Sequence, residues 1–252
     1  SPVVVAHLKH GAVAPTVRSG PMIGAAGQVV LLAGLAATVG LGPAGWLAGT
    51  GTGLGTAAAL NLGLHRSATD ELGPADRVTL IRALLVGAVT ALVVDSLTRP
   101  VPVGLLVALT AVALVLDAVD GQVARRTGTA SALGARFDME VDAFLLLVLG
   151  CYVAPLVGVW ALAIGGMRYA FVAASWVLPW MRASLPPRYW RKVVAATQGV
   201  VLVVVAADLL PRQLATAVVL GSLALLVESF GRDVGHLWQH RPVRAEREET
   251  RT

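Results

Sequence analysis

Apolar stretches close to bilayer-spanning length follow one another along this chain and leave room for few folds. Eight can be read, over residues 22–41, 44–64, 77–95, 101–116, 138–153, 159–180, 193–209 and 213–227. A helix needs about 20 apolar residues to cross the hydrocarbon core. Inside a bilayer only helices and closed barrels satisfy every backbone polar group, and runs this long and continuous are helical. The first stretch is too long for the core of a signal peptide and shows no clear cleavage site. Composition agrees. The chain of 252 residues is 56% hydrophobic and only 14% charged, with mean hydropathy +0.73. A soluble domain carries about 25% charged residues. The expectation is an all-α polytopic membrane helix bundle of about eight transmembrane helices. The net charge of +5 suits anionic lipid headgroups. Nucleic acid is not expected as a partner, because no basic run interleaves with aromatics. Cys151 is the single cysteine and excludes an internal disulfide; it reads as a small buried hydrophobe.

Breaks between the stretches organise the chain. Residues 1–64 read as a leader with two helices, 65–230 as a six-helix core and 231–252 as a charged, extended or surface-bound tail. In the second stretch Gly45, Gly49 and Gly53 recur every four residues, a close-packing helix face. The overlapping run from Gly51 to Gly55 is not a phosphate-binding loop, since no Lys follows and no strand precedes. Residues 65–76 are polar, contain Pro74 and read as interfacial.

Chemistry concentrates between Asp117 and Asp142. Asp117, Asp120, Gly121, Ala124 and Arg125 fall on one face of a helix. Gly134, Asp138 and Asp142 repeat the four-residue step on a second helix. The Thr-, Ser- and Gly-containing segment between them reads as a short turn. Two helices joined this way run antiparallel, so four carboxylates can converge. A pair of carboxylates about 4 Å apart repels by roughly 4 kcal/mol at an effective dielectric of about 20. Cations among them relieve this, and all-oxygen ligation suits a hard ion such as Mg²⁺ or Mn²⁺. Glu140 points off the Asp138–Asp142 face and is not expected to ligate.

The pattern D-x2-D-G-x2-A-R-x8-G-x3-D-x3-D resembles the signature of the CDP-alcohol phosphotransferase family. Asp117, Asp120, Gly121, Ala124, Arg125, Gly134, Asp138 and Asp142 fill every fixed position. Upstream, Thr79 and Arg82 are similar to the family's Asn-x-x-Thr-x-x-Arg run, with Asp76 standing where Asn is common. The resemblance implies a six-helix core, so the two leading helices are additions. It implies that Asp117, Asp120 and Asp138 hold one ion, with Asp117, Asp138 and Asp142 around a second. It also implies a nucleotide contact at Ser131, for which a helix N-cap is the competing role, and commonly a homodimer.

The same residues allow a mechanism to be written. A diphosphate can approach four carboxylates only if cations bridge the two, and two ions would also neutralise the leaving group. Asp142, deepest on its helix and beside like charges, is the candidate general base. It would deprotonate an acceptor hydroxyl that attacks the lipid-side phosphorus of a CDP-lipid, releasing CMP. Gly121, Ala124 and Gly134 leave room for the nucleotide, Arg125 can pair with a phosphate, and the resemblance adds Thr79 to the nucleotide contacts. Arg82, within an apolar helix, needs a partner or a phosphate, or snorkels to the headgroups. Arg168, in the middle of another, reads as a phosphate ligand or a structural ion pair. Arg182, in a basic loop reaching Lys192, either captures an anionic substrate or faces headgroups.

With the N-terminus cytoplasmic and spans alternating, sixteen Lys and Arg fall on the cytoplasmic side, and only Arg99 and Arg212 fall outside. The positive-inside rule supports that orientation. It puts both termini and the aspartates in the cytoplasm of a multi-pass cell-membrane protein. The expected reaction moves a phosphatidyl group from CDP-diacylglycerol to a small alcohol or alcohol phosphate, of the glycerol 3-phosphate or inositol phosphate type. The alternatives are transfer from a soluble CDP-alcohol to a lipid hydroxyl and, in a different class, a cation carrier.

Overall fold

The computed structural model describes residues 19–67, 74–127, 132–182 and 189–240. Among them are eight α-helices and no strand. They are α1 (Ser19–Val39), α2 (Pro43–Ser67), α3 (Pro74–Asp95) and α4 (Val103–Thr127), then α5 (Ala132–Val157), α6 (Leu162–Val177), α7 (Tyr189–Ala206) and α8 (Arg212–Gln239). This is a polytopic helical bundle. Gly20–Val39, Arg77–Asp95, Gly134–Val157 and Arg212–Gln239 are long and apolar enough to cross a membrane, and Val103–Val119 is a shorter apolar run. Large apolar side chains such as Val30, Leu47, Val115 and Val177 are exposed, as a lipid-facing surface requires.

Helix α3 is the hub. It is the most buried of the four long apolar helices, α1 the least. Helices α4 and α5 each pack on α3 far more extensively than on each other. Small residues allow the close approaches. A Cβ placed on Gly45 would lie 2.9 Å from the Ala91 carbonyl oxygen of α3, and one on Gly49 would lie 3.1 Å from the Ala91 methyl. The packing face expected of α2 is therefore in use. At the other side of the bundle, a Cβ on Gly165 of α6 would lie 2.3 Å from the Leu147 backbone of α5.

The α1–α2 hairpin is pinned to the end of α3. The buried Asp95 carboxylate accepts the Gly42 N–H at 3.0 and 3.1 Å, just ahead of α2. Arg99 pairs with Asp95 at 3.4 Å and donates to the Val39 carbonyl, also at 3.4 Å. Helix α5 runs through Pro155 and stops at Gly158, whose φ of 127° lies in a region other residues avoid.

Helix α8 passes Gly231 and continues to Gln239, where a charged, extended or surface-bound tail was expected to begin. Leu226, Ser229, Asp233 and Leu237 form a buried stripe at helical spacing. Asp233 pairs with Arg191 of α7 at 3.2 Å, and Trp238 packs edge-on against Trp180 with ring centroids 5.4 Å apart. Those tertiary contacts hold the last turns helical despite their polar composition.

Candidate active site

Two helices deliver the acids and a third the cation between them. Asp117 comes from the second half of α4, and Asp138 and Asp142 from adjacent turns of α5. One oxygen from each lies within 4.8 Å of the others. Between them, from α3, sits the Arg82 guanidinium, only 1% exposed. It pairs with Asp117 at 3.1 Å and, more closely, with Asp138 through Nη1 and Asp142 through Nη2. The carboxylates themselves are 34–40% exposed, so the cluster is partly open. A buried guanidinium facing several carboxylates has the planar donor fork for such bridging. Arg82 therefore does not snorkel; of the alternatives open to it, partnership with acids is the one seen.

Asp120, Ala124 and Arg125 lie in α4, but their side chains fall outside the described residues, as does Ser131 altogether. Gly121 and Gly134 are half-buried in α4 and α5. Thr79 is buried in α3, one turn before Arg82. Arg168 of α6 pairs with Glu140 of α5 at 2.5 Å, and Glu140 faces away from the cluster, as its place on the helix required. Arg182 donates to the Ser175 and Trp176 carbonyls at 2.8 and 3.1 Å, closing the C-terminal end of α6. Among the described residues, no contact joins Arg168 or Arg182 to the acidic cluster.

The donor set is all oxygen, and a hard divalent cation fits it better than a soft one. The cluster can hold such an ion. Chemically, a joint of three carboxylates at the end of two helices can gather metal, present it to phosphate and accept a proton.

The family model described as CDP-alcohol phosphatidyltransferase matches residues 74–228, more than half of the chain. The chain belongs to the CDP-alcohol phosphatidyltransferase family. No curated protein and no solved structure matches it. Membership makes the protein a membrane transferase of phospholipid synthesis, acting on a CDP-alcohol and a lipid or alcohol partner. The family match begins with α3 and ends within α8, so it takes in all three helices of the acidic cluster. Helices α1 and α2 lie outside it.

Asp117, Asp138 and Asp142 come together, but α4 and α5 pack little on each other. The structure interposes α3 and its arginine. The signal was present: a lone Arg three residues after Thr79 within an apolar helix must find acids, a phosphate or the headgroups. Which of these it found depended on the neighbours of α3.

Proposed function

We propose that this phosphatidyltransferase moves a phosphatidyl group from CDP-diacylglycerol to the hydroxyl of a small alcohol phosphate, of the glycerol 3-phosphate or inositol phosphate type, and releases CMP. The observation that carries the reading is the convergence of Asp117, Asp138 and Asp142 in a chain of this family. Together with Asp120, these residues would hold Mg²⁺ or Mn²⁺, in two ions. When bound, the metal neutralises charge on the diphosphate and on the departing CMP.

The chain's own groups do the rest. Asp142 accepts the proton of the acceptor hydroxyl. The hydroxyl oxygen forms a bond to the lipid-side phosphorus, the bond from that phosphorus to the bridging oxygen breaks, and CMP leaves with the electron pair. Arg82 holds Asp138 and Asp142 at a common position, and positioning is the larger part of catalysis in phosphoryl transfer. Thr79, Gly121, Ala124, Arg125, Ser131 and Gly134 receive the nucleotide. Arg82, Arg168 and Arg182 would bind the acceptor's phosphate, each by exchanging a partner it already holds. The excess of Lys and Arg on alternate loops supports a cytoplasmic site in a multi-pass cell-membrane protein, with both termini on that side. A homodimer is proposed on the resemblance to the family.

The test is release of labelled CMP by purified protein with CDP-diacylglycerol, Mg²⁺ or Mn²⁺ and a panel of acceptors. Asp142→Asn should lose turnover by at least 10²-fold, within the range general-base catalysis supplies, while still binding the CDP-lipid. Wild-type turnover in that variant would remove Asp142 from the base role. Turnover only with a soluble CDP-alcohol and a lipid hydroxyl would reverse the direction of transfer.

A further inference from the structure

Beside the acidic cluster runs a groove of about 920 Å³ walled by α2, α3, α5 and α6. The α2 wall extends from Leu47 to Gly63, roughly 24 Å at about 1.5 Å per residue. One leaflet of hydrocarbon is about 15 Å deep, half of a core about 30 Å thick. The groove is therefore long enough for an extended acyl chain.

Its lining is apolar where it is deep. Helix α5 contributes Phe137, Val141 and Phe144, and α3 contributes Ala83. Thr52 also faces it, but its hydroxyl donates back to the Ala48 carbonyl at 2.8 Å and is satisfied within α2. Arg136, Glu140 and Tyr169 give the groove one polar end. Arg136 and Phe137 immediately precede Asp138 in sequence, Val141 precedes Asp142, and Ala83 follows Arg82. The groove and the acidic cluster are thus two faces of the same turns of α3 and α5. Arg136 is exposed and has no ion pair among the described residues, a cation placed for a phosphodiester at the groove's mouth.

Helix α2 shows which face is kept open. Gly45, Gly49 and Gly53 are filled by α1 and α3 atoms, with a Cβ on Gly53 only 2.6 Å from Gln28. Gly51 and Gly55, which line the groove, would meet nothing within 4 Å. Their missing side chains serve no contact inside the chain. They leave width.

We propose that this groove seats an acyl chain of the CDP-lipid, and that α2, outside the family-matched region, supplies the wall that fits it. The inference rests on the proposed use of CDP-diacylglycerol. A flexible chain suits an irregular apolar cleft that continues from the phosphate-handling site; a second copy of this chain is the competing occupant.

The test uses the full-length protein in nanodiscs and a CDP-diacylglycerol with a diazirine near the end of one acyl chain. Photolabel should fall on α2 and α5 peptides bearing Gly51, Gly55 or Phe144, and unlabelled CDP-diacylglycerol should compete. Gly55→Phe and Gly51→Leu should each remove that label. Each should also raise KM for the dioleoyl substrate at least tenfold while leaving a dibutyryl analogue within twofold. Melting temperature should hold, because a Cβ added at either position meets nothing within 4 Å. Gly34→Phe, on an open face of α1 away from the groove, should behave as wild type. Label elsewhere, or equal KM changes for long and short chains, overturns the assignment. So does a change of oligomeric state in Gly55→Phe, which would give the groove to a second copy. If wild-type protein releases no CMP from CDP-diacylglycerol, the proposed donor falls, and the position of the label still decides the groove.

Discussion

Replacing Arg82 with Met removes the charge at the centre of the acidic cluster and keeps much of the side chain's length. Three carboxylates then face one another without their guanidinium. Two unit charges 4.8 Å apart repel by about 3.5 kcal/mol at an effective dielectric of about 20. Three such pairs sum to about 10 kcal/mol. Water reduces it, since the carboxylates are 34–40% exposed and exposed charges are screened. A loss of about 3 kcal/mol remains, the low end of what breaking a buried ion pair costs. For a chain of this size that corresponds to a fall of roughly 6–12 °C in melting temperature. The assay is thermal unfolding in detergent, with EDTA or with excess Mg²⁺. The fall should appear in EDTA and be largely recovered by Mg²⁺. The variant should also bind Mg²⁺ more tightly than wild type, because the competing cation is gone. Arg82→Lys should lie between the two, since one ammonium cannot bridge three acids as a planar fork does. If Arg82→Met melts with wild type in EDTA, the guanidinium is not what balances the cluster, and the reasoning fails.

Other substitutions probe separate links. Gly165→Ala puts a methyl 2.3 Å from the Leu147 backbone and should cost about 1–3 kcal/mol by overpacking α5 against α6, read as a lower melting temperature. Asp95→Ala leaves the Gly42 N–H and Arg99 without their acceptor and should cost about 1–2 kcal/mol; limited proteolysis should then cut first near the α1–α2 hairpin. Arg168→Met should raise KM for a phosphorylated acceptor about tenfold, near 1.4 kcal/mol, with the CDP-lipid unaffected. An equal effect from Glu140→Gln would instead assign Arg168 to its ion pair alone.

Much of this was legible in the chain as written. Apolar runs of bilayer length force helices, because no water is available to satisfy an exposed backbone. The four-residue spacing of Asp138 and Asp142 sets them on one face of α5, since a helix turns every 3.6 residues. The same rule sends Glu140 elsewhere. These are properties of single helices, and local sequence is enough to determine them. Which helices become neighbours is not local. Arg82 was visible as a cation in need of a partner, yet only the packing of α3 between α4 and α5 chose the three acids. The glycines of α2 looked alike in sequence. The bundle filled the face with Gly45, Gly49 and Gly53 and left open the one with Gly51 and Gly55. The polar end of α8 carried no apolar run to predict its helix; Arg191 and Trp180, distant in the chain, hold it. Covalent order decides what each helix presents, and close packing among helices decides what that face will meet.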